Sequence, residues 1–160
     1  MNFTRTIGMV LSMSFLSFFC KTVHTELVIP AQPEEVWAVL ADGSKYGEWN
    51  PVLVPVEGQL REGAAVRYQM TEPNGNQSMI DSKVVKMIPN QKLNQFGGIR
   101  GIITFDHTYL LEPVSGGTKV TQHEEYRGVY VPFWDASWVE PAYAKVNEAL
   151  RDRVLQLRKK

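Results

Sequence analysis

The chain has 160 residues, with 17 basic and 17 acidic side chains and a 44% hydrophobic share. That length encloses one core or one roomy pocket, which argues against a second domain. The balanced charge speaks against a polyanion-binding chain, and the ordinary apolar share against wholesale disorder, so no nucleic-acid partner is expected and recognition must come from a local site.

The N-terminus departs from this average. Met1 to Arg5 is a short basic start, and the apolar run TIGMVLSMSFLSFF is too short for a comfortable bilayer span before Cys20, Lys21 and Thr22 follow. The pattern is that of a secretory signal peptide over residues 1–22, cut after Thr22, with a domain over 23–160 that is exported to the periplasm or secreted. Cleavage removes Arg5, Lys21 and Cys20, leaving a slightly acidic domain with no disulfide and no stable membrane anchor. Two alternatives stand beside it. Cys20 is a poor lipid-attachment site behind the bulky Phe18 and Phe19, and an uncleaved segment would anchor the protein to a membrane.

The next elements read in order. HTELVIP, from His24, is a short strand ended by Pro30. A helix begins at Pro33, with Glu34 and Glu35 at the positive end of its dipole and Val36, Trp37 and Leu40 on one face until Gly43. KYGEWNP adds about one further turn before Pro51. From Val52, the runs VLVPVEG, AAVRYQMTEP, SMIDSKVVKMIP and QKLNQFGG are β-rich and punctuated by Gly, Pro and Asn, which predicts sequential antiparallel hairpins. Two long strands follow, about Ile102 to Glu112 and Thr118 to Val131.

After Pro132 the period becomes helical. Trp138, Ala142, Val146, Ala149 and Val154 form a stripe that Val139, Tyr143, Leu150 and Leu157 widen, predicting one long C-terminal helix. Arg151, Arg153, Arg158, Lys159 and Lys160 crowd its end, where cations complement the dipole. The fold class is α+β, an antiparallel sheet whose concave face only the terminal helix is long enough to cover.

The stretch DHTYLLEPVSGGTKVTQHEEYRG carries the best functional clue. With Val114 to Gly117 as the loop, Leu111 opposes Val120, Tyr109 opposes Gln122, His107 opposes Glu124 and Phe105 opposes Tyr126. The period of two puts all eight on one face, and its aromatic and aliphatic content makes that face the concave one. His107 and Glu124 are therefore expected as a cross-strand hydrogen-bonded or ionic pair on the inner wall. One reading makes them a structural pair that pins register; another makes them the polar end of an apolar pocket, binding a hydroxyl or carbonyl or transferring a proton.

VIPAQPEEVWAVLAD, YGEWNP, the hairpin above and the terminal helix together resemble the START-type helix-grip (SRPBCC) superfamily, specifically its polyketide cyclase/dehydrase and lipid-transport-like group. The resemblance covers nearly everything after Thr22. It implies a curved sheet of about seven strands gripping the C-terminal helix, two short helices after the first strand, and a deep apolar cavity between sheet and helix.

No phosphate loop, nucleophile elbow or His-Glu-x-x-His motif is present, and His24, His107 and His123 lack metal-ligand spacing, so neither metal nor cofactor is expected. His123 should face away from the pocket and Arg67 should point to solvent, while Trp37 and Trp49 read as packing. The expected function is binding, transport or sequestration of a small hydrophobic, lipid-like or aromatic molecule. Its contacts are Phe105, Tyr109 and Tyr126 from the sheet and Trp138, Tyr143 and Val146 from the helix, with His107 and Glu124 orienting one polar group. The alternatives are a cyclase, dehydratase or hydrolase using His107 and Glu124 as acid and base, and an interaction module whose cavity its own side chains fill.

Overall fold

Alternating apolar positions from Val23 onward lay down a seven-stranded sheet in the computed structural model, which describes residues 19–159. Strand β1 (Cys20–Ile29) leads into helix α1 (Pro33–Leu40) and a 3-10 turn (Gly43–Glu48). Then come β2 (Leu53–Gly58), β3 (Ala65–Thr71), β4 (Gln77–Ile88), β5 (Lys92–Ile99), β6 (Ile103–Val114) and β7 (Gly117–Arg127). A second 3-10 turn (Val131–Phe133) precedes helix α2 (Val139–Leu157). The sheet is antiparallel in the order β1-β7-β6-β5-β4-β3-β2, so six strands meander in chain order and the first returns to lie beside the last.

Most of the expected signal segment lies outside the described residues, but its end does not. β1 begins at Cys20, earlier than His24, and Cys20, Lys21 and Thr22 pair with Arg127, Tyr126 and Glu125. A cut after Thr22 would strip three residues from the strand. At the far end β7 stops at Arg127 instead of Val131, because Gly128 turns the backbone at φ 141° and Val131–Phe133 coils into the 3-10 turn. The β6–β7 loop is tighter than expected, with Val114 already paired to Gly117, but the register of every pair from Pro113 and Thr118 onward is the expected one.

Helix α1 starts at Pro33, and the Glu35 carboxylate accepts the Gln32 N–H at 2.8 Å, meeting one of the amides that a first turn leaves open. It buries Val36, Val39 and Leu40 against one end of the sheet. Helix α2 crosses the same concave face and buries Val139, Ala142, Tyr143, Val146, Asn147, Leu150 and Val154. Trp138 caps this helix, Ala149 is only half-buried, and Leu157 stands in solvent. The basic cluster does more than face a dipole: Arg158 pairs with Glu35 at 3.0 Å and bonds the Pro30 carbonyl, and Arg153 reaches Glu48, tying the helix end to the α1 region.

Two glycines shape the sheet beside the cavity. A Cβ on Gly97 would sit 2.4 Å from the Phe105 ring, and Gly98 turns at φ 91°, a conformation that side chains disfavour. Arg67 points outward between Asp81 at 2.7 Å and Glu57 at 3.3 Å, as expected. His123 is likewise exposed on the outer face.

Candidate functional site

The β6–β7 register places Leu111 and Val120, Tyr109 and Gln122, His107 and Glu124, and Phe105 and Tyr126 opposite one another on the concave face. At the β6 start and β7 end of this face the structure leaves a cavity of about 480 Å³ between sheet and helix. Phe105, His107, Glu124 and Tyr126 line it from the sheet, and Trp138 and Tyr143 from the start of α2. Two expected contacts lie elsewhere. Tyr109 is buried in the core beyond the cavity, its ring edge-on to His107 at 4.8 Å, because the period of two carries it one step toward the α1 end. Val146 packs with Val52 and Ala142 instead, one turn down the helix.

The expected bond between His107 and Glu124 does not form. The two are register partners and are 4% and 3% exposed, yet no hydrogen bond or ion pair joins them. Glu124 Oε2 instead accepts the hydroxyl hydrogens of Tyr126, two residues along its strand, and Tyr143, from the helix. His107 Nε2 meets Gln122 Oε1 at 3.3 Å. Opposed backbone positions bring Cβ atoms close, but rotamers then choose the better donors and acceptors.

A buried relay fixes the imidazole. Asn147 Nδ2 donates to Thr25 Oγ1 at 3.1 Å, which turns its Oδ1 toward Gln122; Gln122 Nε2 donates to that oxygen at 2.7 Å and to the Tyr143 carbonyl at 3.1 Å. Gln122 Oε1 is thereby left as the acceptor for His107, so His107 carries its proton on Nε2. Burial pushes the His107 pKa below its ordinary value, against the opposing pull of the Glu124 carboxylate and the Gln122 bond, and the ring is neutral near pH 7. Its Nδ1 lone pair has no partner among the described residues and is not sealed in protein; the same holds for Glu124 Oε1. Burial also pushes the Tyr126 and Tyr143 hydroxyls well above the ordinary tyrosine range, helped by the neighbouring Glu124 charge, so both stay protonated donors.

Sequence reasoning missed a third polar group. Gln95 opposes His107 across β5 and β6, and its Oε1 accepts from the Tyr68 hydroxyl at 2.6 Å and from Ser82 Oγ at 3.2 Å. All three line the cavity, and the Gln95 amide nitrogen has no partner among the described residues. Counting back from the Arg100-Gly101 turn, as was done from Gly116-Gly117, would have found Gln95. Trp134 and Tyr130 also line the cavity, from a segment with no periodicity to announce them; the Trp134 ring packs edge-on to Tyr126 at 4.6 Å.

The charges around this space have one sign. Glu72, Asp81 and Glu124 contribute to the lining and no Lys or Arg does; the Asp81 carboxylate itself turns outward to Arg67. Among the described residues no group of His, Cys, Asp and Glu side chains is placed to hold a metal ion, and no helix is long and apolar enough to cross a membrane.

The profile of the polyketide cyclase / dehydrase and lipid transport family matches residues 21–155. The chain belongs to this family. The match spans β1 through almost all of α2, and so includes every cavity residue named above. Members of the family bind small hydrophobic ligands or act as polyketide cyclases. Solved structures share the helix-grip fold at low identity. A protein from Chromobacterium violaceum aligns at 17% identity and TM-score 0.69, over 83% of this chain and 96% of that one. Ara h 8.0201 aligns at 17% identity and TM-score 0.67, over 86% and 99%. The di-domain ARO/CYC StfQ from the steffimycin biosynthetic pathway aligns at 12% identity and TM-score 0.66, over 89% of this chain and 52% of that one. No curated protein matches the chain in sequence.

Proposed function

We propose that the protein binds a small, mostly apolar molecule whose single polar end is a hydrogen-bond donor. The observation that carries this reading is the pair of unpartnered acceptors, His107 Nδ1 and Glu124 Oε1, on the buried wall of a cavity lined mainly by aromatic and aliphatic side chains. A hydroxyl or phenol donates its one hydrogen to either acceptor without adding a buried charge, and the Gln95 amide can donate to the oxygen's lone pair or to a second oxygen. A carboxylate or phosphate head would meet the Glu124 carboxyl with no cation in the lining to offset it, and an unpaired buried charge is costly. The cavity volume suits a molecule of two to four fused rings or a comparable chain.

Fluorescence titration of β-naphthol against β-naphthoate tests this directly, since the two share a ring system and differ in the polar group. The phenol is expected to bind at least about tenfold more tightly, a difference of about 1.4 kcal/mol. Equal affinities, or a preference for the carboxylate, would refute the reading. Glu124→Gln, which keeps the shape and removes the charge, should narrow the gap.

One observation favours a catalytic reading beside it. A neutral imidazole with a free lone pair at the cavity wall is a general base for removing a proton next to a carbonyl, as ring closure of a polyketone requires. Deuterium uptake at the α-carbon of β-tetralone, followed by NMR in heavy water, reads this step. Exchange faster than in buffer that is lost in His107→Gln supports catalysis; no acceleration leaves binding as the role.

A further inference from the structure

Beyond the cavity itself, its mouth carries apolar surface that the core does not use. Phe133 is 77% exposed, Ile99 62% and Val129 59%, and Tyr130 and Ile102 are about half exposed. These residues sit on two segments joined by backbone bonds: the Val129 N–H donates to the Gly101 carbonyl at 3.2 Å and the Tyr130 N–H to the Ile102 carbonyl at 3.0 Å. Ile99 and Tyr130 also line the cavity, so the exposed rim and the entrance are one place. Isolated surface hydrophobes need no explanation, but a contiguous apolar rim marks a surface that something covers.

The path of the chain indicates what covers it. Cys20 pairs with Arg127, and the Gly128 N–H donates to the Phe19 carbonyl at 3.1 Å, so Phe19, the first described residue, lies beside the segment that holds Val129 and Tyr130. What precedes Phe19 is the apolar run from Ile7 to Phe18, behind the basic Arg5. Lys21 holds the Trp134 carbonyl and Cys20 to Thr22 are strand residues, so the junction is part of the fold and not a dispensable linker. The charges nearest the rim are mixed, with Arg100 at the turn, Lys21 beside Trp134 and Asp135 after it, which leaves apolar area as the main attraction.

We propose that the rim formed by Ile99, Ile102, Val129, Tyr130 and Phe133 seats the protein on a lipid bilayer, cavity mouth toward the lipid, with the apolar N-terminal segment entering the same bilayer beside it. An apolar run too short to span but rich in Leu, Met and Phe adds buried area at an interface. Its exit point fixes which face of the domain the bilayer meets, and that favours lipid over a second copy of the chain or a protein partner. In this arrangement an apolar molecule passes between bilayer and cavity without crossing water. The docking goes beyond the ligand reading and does not depend on it.

The test uses the full chain with Cys20→Ser and single cysteines placed by Ile102→Cys, Phe133→Cys or, at the opposite end of β7, Ser115→Cys, each carrying a polarity-sensitive fluorophore. Vesicles of phosphatidylcholine, with and without phosphatidylglycerol, are the probe. The expected result is a blue shift on vesicle addition at positions 102 and 133 and none at 115. Vesicle binding with no shift at 102 and 133 overturns the proposal, because the segment alone would then be inserting. So does an absence of vesicle binding, including the case in which the rim pairs two copies and the chain sediments as a dimer. Cavity occupancy is read separately by β-naphthol titration without vesicles, so loss of ligand binding and loss of docking are distinguishable outcomes.

Discussion

At one end of the concave face, Leu111 and Val120 share a core with Leu40, Leu93, Leu150 and Val154, none of them more than 3% exposed; at the other, Phe105 and Tyr126 face a space of about 480 Å³. The same two strands and the same helix serve both ends, and the inward positions alternate identically. The difference is a third layer. α1 lays Val36, Val39 and Leu40 into the first end, whereas only the Trp134 segment and the start of α2 roof the second. Strand patterning therefore makes an inner face, and what is laid over that face decides between core and cavity.

Substitutions along the face turn this contrast into measurements. Leu150→Ala, in the fully packed end, should cost the most, about 3–4 kcal/mol in urea unfolding, since neighbours held by α1 cannot collapse into the gap. Gln122→Leu sits at the border between the two ends and strands the His107 Nε2 proton and Asn147 Oδ1; a loss of about 2–3 kcal/mol is expected, with the imidazole proton visible by NMR as a less protected resonance. Phe105→Ala, in the hollow end, should cost only about 1–2 kcal/mol because its ring already borders empty space, and a value as large as that for Leu150 would mean that the cavity is filled in solution.

The pH dependence is smaller. His107 has a folded pKa below its unfolded value of about 6.5, so the unfolded chain takes up the proton first as pH falls. This contribution to stability is complete above about pH 6.5 and is lost below it, at no more than about 1.4 kcal/mol per pH unit. His107→Gln should flatten that part of the stability profile, measured by unfolding at a series of pH values. Phe133→Ser, wholly outside both ends, should leave stability within about 0.5 kcal/mol of the parent in the same assay.

The β6–β7 hairpin was legible down to its register because a glycine turn sets the count and unbroken alternation carries it along both strands. The register put Phe105, His107, Glu124 and Tyr126 on the cavity wall, and the helical stripe added Trp138 and Tyr143. The others failed for a reason of depth: Tyr109 and Val146 share a face with the site, and sequence periodicity reports the face but not the distance along it. The His107 and Glu124 link failed one level lower, at the rotamers, where the hydroxyls of Tyr126 and Tyr143 take the carboxylate oxygen in place of the cross-strand partner. Asn147 was passed over because a polar residue in an apolar helical stripe breaks the pattern being read. Tyr68 and Ser82 lie beyond a β-bulge between Val84 and Lys86 that upsets a count made from the β4–β5 turn, whereas Gln95 was within reach of a count from Arg100-Gly101.

The return of β1 to lie beside β7 also carries a timetable. β3 to β7 each find a neighbour in the strand made just before, and β2 in the one made just after, but Cys20–Ile29 must wait for Gly117–Arg127. At ribosomal speeds of about 5–20 residues per second, that wait is on the order of 5–20 s. Pairings so distant along the chain are also slow to close once both strands exist. The first strand to be synthesised is thus the last to be paired. Through that interval its apolar positions and both its edges are open to whatever binds nascent chains, a burden that the hairpins forming behind it do not share.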